Sequence, residues 1–338
     1  MVKLNENNCL GLPVFLTLEG LRQNLNVKKK YFYKALYCSD RLYKSIEVPK
    51  RNGRGVRQIN APVLPLKSIQ RWILENILYK IPTDNCVNGF VPEKSIVSNA
   101  SPHLNSKYIV KMDIVDFFPS IKFGVIKKYF SKLGYSKDIA NALASLCIFE
   151  NHLPQGAPTS PYLANLVCAD MDNRIKKLCL KYNLKYTRYA DDITISGNNN
   201  VFWVKNVVEK ILNSYRFEIN RDKTVLLKPG DRKRVTGIIV NEKISVPKDV
   251  IRELRKNIYY IKKYGLHSHL ERINFEGVEL EYLSKLYGIV SFIKMVDLEK
   301  GKFFKSVLDT IFNQNSIDID TGVDIELNDI EWKILDDL

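Results

Sequence analysis

The segment KYTRYADDITISG (185–197) constrains this chain more than any other. Two β-patterned runs flank Asp191 and Asp192, so the segment reads as strand, turn, strand. An Asp-Asp pair in isolation is ordinarily a solvated turn. Here it falls at a hairpin tip that a sheet must hold. Neighbouring side chains on a regular strand face opposite ways, so only a turn lets both carboxylates approach one ion. A second acidic strand end occurs in KMDIVDFF, where Asp113 follows an apolar approach. Three carboxylates brought together make the oxygen-rich site that Mg²⁺ prefers. Two such ions about 3.5–4 Å apart can hold both the attacking and the leaving oxygens of an in-line phosphoryl displacement.

The remaining pattern alternates helix and strand, with no repeat, low-complexity tract or long linker. Leu66, Ile69, Ile73, Ile77 and Ile81 recur at helical spacing and stop at Pro82. KYIVKMDI (107–114) reads as a buried strand. Ser120 is expected to cap a helix carrying Ile121, Val125, Tyr129 and Leu133, and Ser136 another carrying Ile139, Leu143, Leu146 and Cys147. Ser160 followed by Pro161 opens a helix to about Tyr182. Val204, Val208, Ile211 and Tyr215 give a helix that covers the sheet. FEIN, KTVLL and RVTGIIV read as short strands in 217–246, followed by KISVP after a tight Asn241–Glu242 turn. Beyond Pro247 the pattern is wholly helical, which marks a domain boundary near 247.

Lys and Arg number 52 against 37 Asp and Glu, a net charge of +15. Residues 316–338 carry −7 of that balance, leaving +22 on residues 1–315. With 18 Tyr and 15 Phe, the fitting partner is a polyanion that also stacks, namely nucleic acid. Charge alone also leaves a generic basic enzyme surface open. The acidic segment reads either as an edge strand or as an arm that docks on a basic surface. No apolar run reaches the roughly 18 residues of a membrane helix, and the N-terminus lacks a signal-peptide layout. A cytoplasmic location without a membrane partner is therefore expected. Cys9, Cys38, Cys86, Cys147, Cys168 and Cys179 form no C-x-x-C pair, so buried thiols are expected rather than a zinc site.

The residues also carry a family resemblance. Tyr189-Ala190-Asp191-Asp192 resembles the Y-x-D-D box of reverse transcriptases, Asp113 to Phe118 their first acidic motif, and Gln155 to Pro161 their Q-G-x-P-x-S-P box. All three occur in the family's order and spacing. Asn99-Ala100-Ser101-Pro102-His103 resembles the N-A-x-x-H box and Val235-Thr236-Gly237 the V-T-G triplet of retron reverse transcriptases. The match covers about residues 10–300. It implies an α+β right-hand polymerase: fingers over 1–105 with 121–155 interleaved, a palm with an antiparallel sheet over 106–246, and a helical thumb over 247–315. The acidic segment 316–338 stands apart.

The resemblance assigns roles to positions. Asp113, Asp191 and Asp192 would ligate two Mg²⁺ ions (Mn²⁺ as substitute), with the Ile114 carbonyl helping. Arg57, assisted by Lys50 or Arg54, would grip the triphosphate of the incoming dNTP; a solvated basic loop is the alternative. Asp116 corresponds to triphosphate contacts, Gln155 and Gly156 to the nucleotide pocket, and Phe118 to the ring beneath the incoming sugar. Lys223 would protonate departing pyrophosphate, unless it is a surface lysine. Asn99, His103, Tyr189, Val235, Thr236 and Gly237 would lie near nucleic acid at the primer end, with a structural histidine as the alternative for His103. His267 and His269 read as thumb surface. The implied activity is RNA-directed DNA synthesis on a structured non-coding RNA. The implied priming is from a 2′-OH, giving branched msDNA, with a role in anti-phage defence beside an effector protein. The alternatives are an abortive-infection or group II intron-like reverse transcriptase, and a catalytically silent nucleic-acid-binding polymerase fold.

Overall fold

The computed structural model describes residues 10–49 and 55–313. Cys9, Lys50, Arg54 and the acidic segment 316–338 lie outside the described residues. The strands are β1 (Tyr43–Pro49), β2 (Val56–Pro62), β3 (Tyr108–Ile114), β4 (Lys185–Tyr189), β5 (Asp192–Gly197), β6 (Ile219–Leu227), β7 (Arg234–Val235) and β8 (Ile238–Ile239). The central sheet runs β4-β5-β3-β6, antiparallel throughout. FEIN and KTVLL, read separately in the sequence, largely merge into β6. Its pairing to β3 shifts register between Lys111 and Asp113. KISVP forms no strand; only Ser245 bridges back, to Ile239.

Strand alternation gives this sheet two unlike faces. Val110, Met112 and Ile114 of β3 and Ile193 and Ile195 of β5 enter the main core, with the helices around them. On the opposite face lie Ile109, Lys111 and Asp113, paired across to Ser196, Thr194 and Asp192. The lower part of that face is roofed by a small second core of Ala100, Ile109, Val235, Ile238 and Val240. The upper part carries the acids, with Asp113 buried at 8% exposure and Asp191 and Asp192 half-buried. Helices after Pro247, starting with Lys248–Tyr264, build a third apolar cluster around Leu254, Leu283, Leu286 and Leu308. Phe292 and Val296 of its helix Glu279–Val296 reach the small core.

Further local expectations differ from the structure. The helix expected to run through Ile77 and Ile81 ends at Asn76, and a short 3₁₀ turn follows over Leu78–Lys80. Ser120 ends a short turn, and the helix it was expected to cap begins at Phe123 without a side-chain cap. The helix opened by Ser160 and Pro161 stops at Val167, and a second runs Ala169–Lys181; the two meet at Cys168, whose ψ of −4° departs from the helical value. His269 is buried in the third cluster, bonded to the Tyr282 hydroxyl, and only His267 is exposed. The V-T-G triplet is not within one strand but forms the tip of the β7–β8 hairpin. Ser136 does cap its helix, accepting from the Ile139 N–H. Cys86, Cys147, Cys168 and Cys179 are buried free thiols, and Cys38 is half-buried. No helix among the described residues is long and apolar enough to cross a membrane.

Candidate active site

Asp192 opens β5 directly opposite Asp113 on β3, and the Ile114 N–H donates to the Asp191 carbonyl at 3.1 Å. The turn Ala190–Asp191 joins β4 to β5 with Ala190 in the left-handed region, at φ +56°. That conformation is uncommon for a residue with a Cβ. Burial, and then the neighbouring Asp192 charge, raise the Asp191 carboxyl to about 6. Burial likewise raises Asp192, while Lys111, one rung below Asp113 on the same face, pulls it down. Lys223 of β6 reaches across and donates to both Asp113 oxygens at 2.9 Å. Its own pKa is raised, first by that bond and further by Asp191 and Asp192.

The donor set is all hard oxygen, and its members repel one another, which is the chemistry that Mg²⁺ or Mn²⁺ answers. The positive charge now at Asp113 is the ammonium of Lys223, standing where the carboxylates call for a cation. Among the described residues no three His, Cys, Asp or Glu side chains are gathered closely enough to hold a metal ion. Asp113 is turned toward Lys223 instead. The residues fit a divalent ion by chemistry, with Lys223 the group that gives way.

A raised carboxyl has a stability consequence. The native state binds the Asp191 proton more tightly than the unfolded chain does. Its contribution is therefore full below about pH 4 and lost as pH rises through about 6. At about 1.4 kcal/mol per unit this is at most about 3 kcal/mol. In EDTA, Asp191→Asn should be more stable than the parent at pH 7.5, with the gain shrinking toward pH 4.5. Urea unfolding at the two pH values checks it, and an equal difference at both would refute it.

Beside the acids, Phe118, Gln155, Gly156, Phe90, Arg71 and Ser160 line a cavity of about 420 Å³. Phe117 is buried at 4% exposure against Phe217, and Phe118 is half-buried and faces the cavity. Gly156 has φ +131°, and a Cβ there would lie 2.8 Å from the Asn60 carbonyl oxygen. The Asn60 N–H in turn donates to the Gln155 carbonyl at 2.8 Å, so β2 is clasped to the Q-G segment. Arg57 is exposed on β2 and Asp116 is exposed with φ +43°. Tyr189 is half-buried, its ring 6.2 Å from that of Phe90.

The two small motifs meet each other. His103 is fully buried between the Ser196 and Thr187 hydroxyls, at 2.7 and 2.8 Å, and burial holds it down to about 3, so it is neutral. Thr236 and Gly237 both have positive φ, the requirement of a type I′ hairpin. Thr236 is a poor residue for that backbone, and its hydroxyl donates to the Ile96 carbonyl at 3.0 Å, beside the Asn99 amide at 3.5 Å. Asn99, His103 and Val235 are wholly enclosed by protein. The expectation that these three touch the primer is therefore corrected: they are buried, His103 is bonded to β4 and β5, and Asn99 reaches the hairpin through its amide nitrogen while its side-chain oxygen has no partner among the described residues. Thr236 and Gly237 remain partly accessible. Lys111, Phe90 and Gly89 escaped the sequence reading. Lys111 could have been found from its i−2 spacing to Asp113, which places both on one strand face.

The family model for reverse transcriptase (RNA-dependent DNA polymerase) matches residues 48–280. The retron Ec86 reverse transcriptase of Escherichia coli is 34% identical, over 85% of this chain and 87% of that protein. The retron Mx65 reverse transcriptase of Myxococcus xanthus is 32% identical, over 86% and 71%. Among solved structures, a telomerase from Candida albicans aligns over 82% of this chain and 64% of that one, at 12% identity and a TM-score of 0.46. The chain belongs to the reverse transcriptases, and within them to those of retrons. It is an RNA-directed DNA polymerase of right-hand fold, with an RNA template as partner.

Proposed function

We propose that Asp113, Asp191 and Asp192 form the catalytic centre, on the single observation that β3 and the β4–β5 turn bring them to one sheet face with Lys223. Two Mg²⁺ ions, held there with help from the Ile114 carbonyl, would neutralise charge on the transferring phosphoryl group. Phe118 and Gln155 seat the sugar of the dNTP, Gly156 lets the pocket wall close on β2, and Arg57 and Asp116 serve the triphosphate. Once Asp113 turns away from Lys223, the Lys223 Nζ is free to give a proton to pyrophosphate. Residues 1–105 and 121–155 act as fingers, 106–246 as palm and 247–315 as thumb.

The template is a structured non-coding RNA encoded beside the enzyme, primed from its 2′-OH to give branched msDNA in the cytoplasm. An effector protein and a role against phage complete the reading. Support comes from the retron relatives and from the fit of the N-A-x-x-H segment against the V-T-G hairpin. Sequencing the nucleic acid that co-purifies should recover DNA joined to RNA, and a 2′,5′-debranching enzyme should separate them. DNA extended only from a 3′-OH would instead favour an intron-like or abortive-infection enzyme.

A further inference from the structure

Beneath the carboxylate turn lies a charge pair that the chemistry above does not use. Arg188 and Asp172 are both 0% exposed. Arg188 Nε and Nη2 donate to the two Asp172 oxygens at 2.8 and 2.6 Å, and the Tyr186 hydroxyl donates to the same carboxylate at 2.6 Å. Nη1 donates to Asn165 Oδ1 and to the Ala190 carbonyl, each at 3.0 Å. The guanidinium also sits 5.8 Å from the Phe117 ring, four residues past Asp113. Asn165 Nδ2 closes the arrangement on the Gly89 carbonyl at 2.7 Å. A Cβ at Gly89 would come within 2.6 Å of the Ala190 nitrogen.

A buried ion pair is poor evidence of stabilisation, because well-packed apolar residues of like volume often do as well or better. What such residues cannot do is aim four donors at fixed acceptors. The Ala190 carbonyl belongs to the peptide that leads into Asp191, and Ala190 holds a strained φ with no glycine to ease it. Fixing that carbonyl fixes the rotation of the whole tip. We propose that Arg188 is the positioning residue of the carboxylate turn: clamped by Asp172, its guanidinium holds the Ala190 carbonyl so that Asp191 and Asp192 face Asp113. This rests on the catalytic reading of those three acids. The support is ordered in space. The two helices that supply Asn165 and Asp172 anchor the guanidinium, and the guanidinium anchors the turn from the face opposite the cleft.

Arg188→Lys keeps the charge but cannot span Asp172 and Ala190 together, since an ammonium lacks the fork. A triple variant, Arg188→Met with Asp172→Leu and Tyr186→Phe, removes the pair without leaving a buried charge, and takes the donor from the Asn165 Oδ1 and the Ala190 carbonyl, which is the loss under test. Mn²⁺ binding to the RNA-free protein, followed by electron paramagnetic resonance, is read beside the unfolding midpoint and RNA affinity. The expected result is a triple variant that folds cooperatively and binds RNA like the parent, with Mn²⁺ affinity down about tenfold or more. The Mg²⁺ concentration for half-maximal synthesis should rise in parallel, in both variants. Parent-like Mn²⁺ binding by the folded triple variant overturns the proposal. Failure of both variants to fold also overturns it, since the pair is then only a structural tie. Asp191→Asn runs as control. If it too keeps parent-like Mn²⁺ binding, the fault lies in the carboxylate reading itself.

Discussion

Asp191→Asn combined with Asp192→Asn should take DNA synthesis to background, a fall on the order of 10⁴-fold or about 5.5 kcal/mol in barrier. Asparagine nearly matches aspartate in volume, so no cavity opens. Two negative charges disappear from a face where burial already raises each carboxyl. The fold should therefore hold, and RNA affinity should stay level or rise slightly as the basic surface loses opposing charge. Primer extension on an RNA template, run beside an RNA-binding titration, measures both. Extension at the parent rate by the folded double variant would remove these residues from the chemistry.

Parts of this arrangement were legible in the sequence because they are local. A strand-turn-strand pattern around Asp191–Asp192 and an apolar run ending at Asp113 need only period-two alternation to be recognised. The Phe117–Phe118 pair divides as expected, one ring to the core and one to the cavity, although the two open the helical turn Phe117–Ser120 and do not alternate along a strand. What stayed hidden depends on contacts across the chain. Arg188 reads as an ordinary strand residue until helix Ala169–Lys181 presents Asp172 to it, and nothing local marks that encounter. Asn99 and Thr236 are 137 positions apart, so their enclosure together could not be seen from either motif. The sequence carried their resemblance to known boxes but not the direction their side chains face. His269 shows the same limit: a polar residue in the last turn of a short helix looks like surface until Tyr282 meets it in the core.

Phe118→Ala should relax sugar selection and let ribonucleotides into the product. Phe118 follows Asp113 by five residues, and its ring lines the cavity with Gln155 and Gly156. Its position is held by Phe117 at 5.4 Å and Phe90 at 6.5 Å between centroids, so it cannot retreat freely from an approaching 2′-OH. Selection of this kind works by exclusion, a clash built against the wrong substrate. A clash worth about 2–3 kcal/mol corresponds to roughly 10²-fold discrimination, and the alanine variant should lose most of it. DNA synthesis should persist, since the three carboxylates and Lys223 are untouched. Phe117→Ala separates the gate from simple loosening. That ring is core, so its loss should cost about 3–5 kcal/mol of stability while sugar choice stays near the parent value. Single-nucleotide incorporation with paired dNTP and rNTP gives both ratios. A folded Phe118→Ala enzyme as selective as the parent would mean that the 2′-OH is excluded elsewhere in the pocket.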